Sequence, residues 1–420
     1  MDTAATGQSD YDVVIAGGGM VGASLALALI RTPLRILLIE AVAPESADQT
    51  SFDLRTTALG NGSRQVFEAL GLWERLLPEA APIRRLHVSD AGHFGFARLE
   101  AAEFGQAALG YVVPNRVIGR ELWGALRQST RIDIRMPARM TRVALGAAPE
   151  VDMPCVDYTD AAGEHSVTAR LIVAADGVQS LVRAAAGIEA SRVDYGQTAI
   201  IATLRSDRAD DGTAYERFTS AGPMALLPLK VAQAGHWRAL VWAAQPDDAA
   251  ALLALDDASF MARWQAAFGW RAGRAQQLGR RAAYPLALVR AGAGVAPRAV
   301  LLGNASQSLH PVAGQGFNLG LRDAAALAER LADAARAGGD VGAAALLAAF
   351  AADRDADREG VVRFTDGLVR GFSDARAGRA TLRNLGLLAF DLLPPAKRAL
   401  SRVSYGFGGA SPRLTRGLPL

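Results

Sequence analysis

Gly17, Gly19 and Gly22 sit between a short apolar run and an Ala- and Leu-rich one, and an acid, Glu40, stands 18 positions beyond the last of them. A chain that strips its side chains at this spacing can bring its backbone up to a ligand. The first glycine makes a tight turn, the second admits a pyrophosphate, and the third lets a helix pack on a strand. The start of that helix then faces the phosphates, where its dipole favours negative charge. A carboxylate at the end of the next strand is placed for adenosine ribose hydroxyls and disfavours a 2′-phosphate. The pattern therefore reads as FAD or NAD binding rather than NADP binding.

A second constellation lies far downstream, in "AVLLGNASQSLHPVAGQGFNLGL" from Ala299 to Leu321. Pro311 fixes the chain and donates no hydrogen bond. Gly314 and Gly316, with Gln315, Phe317 and Asn318 around them, leave backbone N–H groups uncovered where a helix begins. A flat ring system fits against such a backbone, its carbonyl held by the N–H groups and any negative charge favoured by the helix dipole. The alternative is a loop made for tight helix packing. Gly303-Asn304, at the end of a buried run, either offers a hydrogen bond to a ligand hydroxyl or only holds a turn. His310 is ambiguous in the same way, with no second His or carboxylate at metal-ligand spacing. A third motif, Asp176-Gly177 in "LIVAADGVQSLVR", reads alone as a turn or helix cap.

These residues need elements to position them. Tyr11–Ala16 and Arg35–Ile39 read as strands flanking a helix over Ala23–Arg31, a βαβ unit that implies a parallel sheet. Helices are expected over Ser63–Leu77 and Arg120–Gln128, and buried strands over Leu171–Ala174 and Ala299–Leu302. Alternating stretches such as "TAIIATLRS" and "HWRALVWA", between Arg192 and Ala244, suggest antiparallel strands with one solvated face. After Gly338-Gly339 the chain reads as helical, ending in a basic tail.

Composition narrows the function classes. At 420 residues, 50% hydrophobic and 21% charged, the chain is globular and too long for one simple core. A net charge of +3, with Arg interleaved among Asp and Glu, argues against a nucleic-acid surface. The single cysteine, Cys155, allows no internal disulfide, fits a reducing compartment and has no signature of a catalytic thiol. The apolar run Val13–Ile30 is interrupted by glycines and preceded by acids, so it reads as the βαβ unit and not as a signal or membrane span. These features predict a cytoplasmic protein with no transmembrane helix and no metal site.

The three motifs, in this order and spacing, resemble those of the FAD-dependent aromatic monooxygenases of the para-hydroxybenzoate hydroxylase type. Within that superfamily, "HPVAGQGFNLGLRDAAALAE" and "FDLRTTALGNGSRQVFEALGLWERL" are similar to the ubiquinone-biosynthesis hydroxylases, nearest their 2-polyprenyl-6-methoxyphenol branch, and "YERFTSAGPMALLPL" resembles that group's strand and loop over the flavin. The resemblance implies an α/β fold with an α+β insertion. A discontinuous Rossmann-like FAD-binding domain (10–80, 113–187 and 288–345) would carry a substrate domain with an antiparallel sheet (81–112 and 188–287), followed by a helical C-terminal region and tail (346–420). It implies a cofactor set of Gly17, Gly19, Gly22, Glu40, Arg55, Arg120, Asp176, Gly177, Gly303, Asn304, Pro311, Gly314, Gln315, Gly316, Phe317 and Asn318. Arg55 would lie by the pyrophosphate or flavin, Asp176 by the ribityl chain and phosphates, and Asn304 by a ribityl hydroxyl. The superfamily usually has Asp where this chain has Asn304.

The resemblance further implies hydroxylation of a polyprenyl phenol in ubiquinone biosynthesis, with NAD(P)H as a transient co-substrate and O2 adding to the reduced flavin as a hydroperoxide. No second G-x-G-x-x-G stands between a strand and a helix, so the nicotinamide would have no Rossmann domain of its own. No Tyr/His relay for the phenol proton is readable, and the catalytic residues stay unassigned. The implied partners are the phenol, O2, a membrane surface on the inner face of the cytoplasmic membrane, and a ubiquinone-biosynthesis complex. The membrane contact is expected of the tail from Pro394 to Leu420, with Lys397, Arg398, Arg402, Arg413 and Arg416 among apolar residues; packing of that tail on the FAD domain is the alternative. Three other readings stay open: hydroxylation of another aromatic compound, a flavin reductase or oxidase acting on a lipid, and a non-catalytic FAD scaffold. A halogenase's Trp-x-Trp-x-x-Pro motif is missing.

Overall fold

The computed structural model describes residues 9–46, 48–146, 153–231, 235–310, 314–373, 377–393, 397 and 411–420. Strand Tyr11–Ala16 is flanked by Ile36–Ile39 on one side and Gly163–Ala174 on the other, all parallel, with Ile132–Arg135 and Ala299–Leu301 continuing the parallel run outward. Parallel strands covered on both faces are apolar throughout. Val13, Val14, Ile15 and Ala16 accordingly have no exposure, and Leu37, Leu38, Leu171, Ile172 and Val173 match them. Helix Met20–Leu29 packs against helix Gln315–Arg336, so the two glycine-rich helix starts belong to one layer.

The second large sheet has nine strands. Ala190–Ser206 pairs antiparallel with His236–Ala244 and with Ala282–Ala291, and Gly222–Pro228 lies between His236–Ala244 and Thr213–Thr219. The expected antiparallel sheet is thus present, with one addition: Thr213–Thr219 pairs parallel with Arg85–Asp90, which forms a hairpin with Phe96–Glu100. Helices Pro246–Ala254 and Asp257–Phe268 cover one face, burying Phe260, Trp264 and Phe268 against Tyr215 and Trp242. Gln307–Ser308 pairs with Ala282–Ala291, so the chain leaving the parallel sheet joins the second sheet just before the downstream glycines.

One expected element divides. The helix read over 63–77 is two, Asn61–Ala69 and Trp73–Leu76, parted at Gly71, whose φ of 73° ends the first. The apolar periodicity ran on because both pieces pack on the same core. Helix Asn115–Arg127 begins five residues before its expected start.

The C-terminal region is helical over Ala344–Ser373 and Ala377–Leu392. Asp323, with no exposure, accepts from Arg354 Nε at 2.7 Å and Arg358 Nε at 3.0 Å, which locks Gln315–Arg336 to Ala344–Ser373. Of the tail residues expected to meet a membrane, Arg398, Leu400, Arg402, Val403, Tyr405 and Phe407 lie outside the described residues. On either side of this gap, Lys397, Arg413 and Leu414 are engaged within the protein, while Arg416 and Leu418 are exposed. Lys397 lies 3.4 Å from both Glu103 and Asp391, Arg413 pairs with Glu329 and Asp333, and Leu414 is buried.

Candidate functional site

A cavity of ≈ 710 Å³ opens between the two sheets. Its wall has two chemically different halves. The first is polar and glycine-rich: Gly19, Ser51, Arg55, Gly177, Gly303, Asn304, Gly314, Gln315, Gly316 and Asn318 all line it, with Phe317 beside them. The second is built by the nine-strand sheet and the helix Ala377–Leu392, with Leu86, Val88, Leu99, Ala214, Phe218, Leu227, Leu387 and Phe390. Ten of the sixteen residues expected in a cofactor site are therefore neighbours on one surface. Helix starts from residues 20 and 315 converge there, neither capped by a side chain and neither with an acid in its first turn. Their first N–H groups are open to an anion or a carbonyl.

Gly17, Gly22, Glu40 and Asp176, four of the remaining expected residues, stand behind that surface. A Cβ on Gly22 would lie 1.9 Å from the Gly17 carbonyl oxygen, so only glycine lets helix and turn close. Glu40 accepts from the Gly18 and Val42 N–H groups and from Gln49 at 3.4 Å, bracing the first loop. Trp123 Nε1 donates to the Gly18 carbonyl at 3.0 Å, and a Cβ on Gly18 would meet its ring. Sequence reasoning missed both Gly18 and Trp123; the run of three glycines was the only signal. Asp176 accepts from Leu181 N through Oδ2 at 2.8 Å, while its buried Oδ1 has no partner among the described residues. Burial pushes this carboxyl upward from the usual range. Arg120 is exposed and joined to Glu79 and Glu121, and it does not line the cavity. Pro311 lies outside the described residues.

Asn318 is wholly engaged. Its Oδ1 accepts from Gly60 N at 2.9 Å and Ser63 Oγ at 2.6 Å, and its Nδ2 donates to the Ala58 and Gly314 carbonyls at 2.8 and 2.7 Å. Gly314 takes the left-handed conformation, φ 59°, that turns the chain into the helix. A Cβ on Gly316 would meet nothing within 4 Å. The helix start is held by Asn318 and left bare at Gly316. Asn304 is exposed on the cavity wall, with no hydrogen bond among the described residues. Arg55 is fixed by Asp53 at 2.9 Å and lies over the Tyr284 ring at 4.9 Å, and Tyr284 in turn donates to Asp53 at 2.7 Å. His310 is buried against Tyr195 and bonded to Gln197, and burial pushes it down to about 4, so it stays neutral. Cys155 bonds Ser166 on a hairpin and takes no part.

One cavity residue carries an ionisable group that the motifs did not reveal. Glu216 stands among apolar neighbours on the sheet wall. Glu216 is half-buried and faces the cavity, and burial pushes its carboxyl up to about 8. Among the described residues no group at metal-ligand spacing holds three or more His, Cys, Asp or Glu, and no helix is long and apolar enough to cross a membrane.

Residues 10–365 match a family model described as FAD binding domain. The chain is 39% identical over 420 residues to the ubiquinone hydroxylase UbiL of Rhodospirillum rubrum, covering 99% of this chain and 95% of the relative. It is 31% identical to the 3-demethoxyubiquinol 3-hydroxylase of Escherichia coli, with 94% and 98% covered. Among solved structures, p-nitrophenol 4-monooxygenase from Pseudomonas putida has the same fold, with a TM-score of 0.77 over 95% of this chain and 98% of that one at 18% identity.

Proposed function

The chain belongs to the FAD binding domain family, and on that premise we propose that it is the FAD-dependent monooxygenase that hydroxylates the aromatic ring of a polyprenyl phenol in ubiquinone biosynthesis. The observation that carries this reading is the two-part cavity, a bare-backbone cradle continuous with an apolar chamber. Bound FAD supplies the reducing equivalents taken from NAD(P)H and the activation of O2 for transfer of one oxygen atom to the ring.

The chain's own residues bind, orient and exclude water. Gly19 and the helix it caps would face the pyrophosphate, and the 314–318 loop would hold the ring, its shape set by Asn318. Asn304 would bond a ribityl hydroxyl. Asp176, whose Oδ1 has no partner among the described residues, would serve the same stretch after a small rotation. Arg55, held by Asp53 and Tyr284, would stand at the junction of the two halves. The apolar wall keeps bulk water from the reacting atoms and fits an aromatic ring with a hydrocarbon substituent.

An isoprenoid chain partitions into a bilayer, so its phenol must be met at a surface. Phe94, Leu385, Leu392 and Leu393 are exposed, and they cluster where Gly95 bonds Asn384 and Arg98 bonds Asp391. Leu387 and Phe390 of the same helix line the cavity. We assign the membrane contact to this helix and hairpin; of the tail cations, Lys397 and Arg413 are paired within the protein, and Arg416 is exposed.

The test is direct. Purified protein should carry flavin absorbance. NAD(P)H oxidation should rise on adding a phenol with a short isoprenoid chain, and the product should contain one oxygen atom from labelled O2. Stimulated oxidation without labelled product would show a reductase or oxidase instead.

A further inference from the structure

We propose that Glu216 is the base that takes the phenolic proton of the substrate during ring hydroxylation. The assignment rests on the function proposed above and on where Glu216 stands. In the sheet register Glu216 lies between Val88 and Ala225, and the row continues to Ala97 and Val241. All five residues of this row, drawn from five strands, line the cavity. Strand alternation puts Ala214 and Phe218 on the same face and sends Tyr215 and Arg217 to the other. A single carboxyl thus stands at the centre of an otherwise apolar wall.

Glu216 has no hydrogen bond or ion pair among the described residues. The other ionisable side chain of the cavity, Arg55, is tied to Asp53. Asp366, on the helix packed against the same strands, bonds Tyr195. A carboxyl in an apolar wall with no structural partner is costly to keep, and a polar group on the ligand is the partner that its position offers.

Proton transfer suits this place. Moving a proton from a phenol O–H to a carboxylate relocates one negative charge without creating another, so the apolar cavity adds no new charge. The phenolate's charge spreads into the ring and makes it richer in electrons for oxygen transfer. In one turnover the phenolic O–H bond breaks and an O–H bond forms on Glu216. The ring gains its C–O bond with one oxygen atom of O2 as the O–O bond breaks, and the other atom leaves as water on the two electrons from NAD(P)H. The attacked carbon then loses its hydrogen as a proton to that departing oxygen, and Glu216 returns its own proton to the original phenolic oxygen, ending as it began. Burial, which holds Glu216 near 8, narrows the gap to a phenol near 10 to about 2 pH units, where an ordinary glutamate would leave about 6.

The experiment compares wild-type and Glu216→Gln holoenzymes on two probes. One is a short-chain alkylphenol, and the other is the matching N,N-dimethylaniline, whose ring is electron-rich with no O–H to ionise. Glu216→Gln should keep its flavin and its affinity for the phenol. It should hydroxylate the phenol about 100-fold more slowly, releasing hydrogen peroxide instead, and should match wild type on the aniline. In wild type, kcat/KM for the phenol should rise with pH through about 8, and that rise should vanish in the variant. A variant with the wild-type rate and pH profile, or one impaired equally on both probes, overturns the assignment. A wild-type enzyme that hydroxylates neither probe overturns the functional reading itself.

Discussion

Ser63 donates to Asn318 across 2.6 Å, and this one contact joins positions 255 residues apart. The two residues lie in the two stretches whose sequences resemble the ubiquinone-biosynthesis hydroxylases. Their meeting shows how the site is made. Asn318 ties the first turn of the downstream helix to the strand Thr56–Gly60 and the helix after it. The ring loop therefore has its shape before any ligand arrives.

Asn318→Ala should strand the Gly60 N–H and the Ala58 carbonyl without partners, at a cost of about 2–3 kcal/mol. Thermal unfolding should fall by several degrees and flavin retention with it. Asn318→Asp should also fail, because a carboxylate would face two carbonyls where the amide donated. An unfolding temperature unchanged in both variants would remove Asn318 from this role.

Gly19 and Gly22 should fail differently. A Cβ on Gly19 meets only the movable Ser51 hydroxyl at 2.9 Å, whereas one on Gly22 meets backbone at 1.9 Å. Gly19→Val is expected to fold and purify colourless. Gly22→Val is expected to be unstable or insoluble. Full flavin content in Gly19→Val would show that no pyrophosphate lies there.

Asn304 is open to the cavity and unbonded, so its side chain is available to a ligand. Asn304→Asp should bind FAD like wild type. Asn304→Leu should lose one hydrogen bond, about 1–3 kcal/mol or roughly 5- to 150-fold in affinity. Titration of apoprotein with FAD decides it, and equal affinities would take Asn304 out of the site.

Glu216 links stability to pH. Its carboxyl sits near 4.5 when unfolded and near 8 when folded, so the native state holds the proton more tightly. Stability from this group is full below pH 4.5 and drains away as pH rises to 8. Glu216→Gln should equal wild type near pH 4.5 and exceed it at pH 8.5, by on the order of 5 kcal/mol. Unfolding curves that keep the same separation at both pH values would contradict the raised carboxyl.

Leu392 and Leu393 are exposed beside the hairpin that carries Phe94. Replacing both leucines by Ser should weaken sedimentation with anionic liposomes while leaving turnover of a short soluble phenol intact. Removal of 411–420, by contrast, should lower thermal stability, because Leu414 is buried and Arg413 is paired. Undiminished liposome binding in the double variant would move the contact elsewhere.

The glycine half of the site was legible because its signals are local. A turn, a bare backbone and a helix start each fall within a few residues, and their types state what the backbone must do. The carboxyl half was not legible. Glu216 looks like any polar residue of an alternating strand, and its isolation exists only when residues 88, 97, 225 and 241 come into one row. The break at Gly71 escaped for the opposite reason. Local apolar spacing was clear, but it reports which side faces the core and not whether the helix continues. The acidic partners of Lys397 and Arg413, Glu103 and Glu329, could not be read because they are remote in sequence.

The helix that bears Leu387 and Phe390 comes after every other wall of the cavity in chain order. During translation, Gly17 through Asn318 emerge while the chamber still lacks that roof. Asn384 and Asp391 fasten the roof to Gly95 and Arg98 only after every other lining residue has been made. The apolar half of the cavity is therefore completed last in the order of synthesis, after the glycine-rich half is already in place.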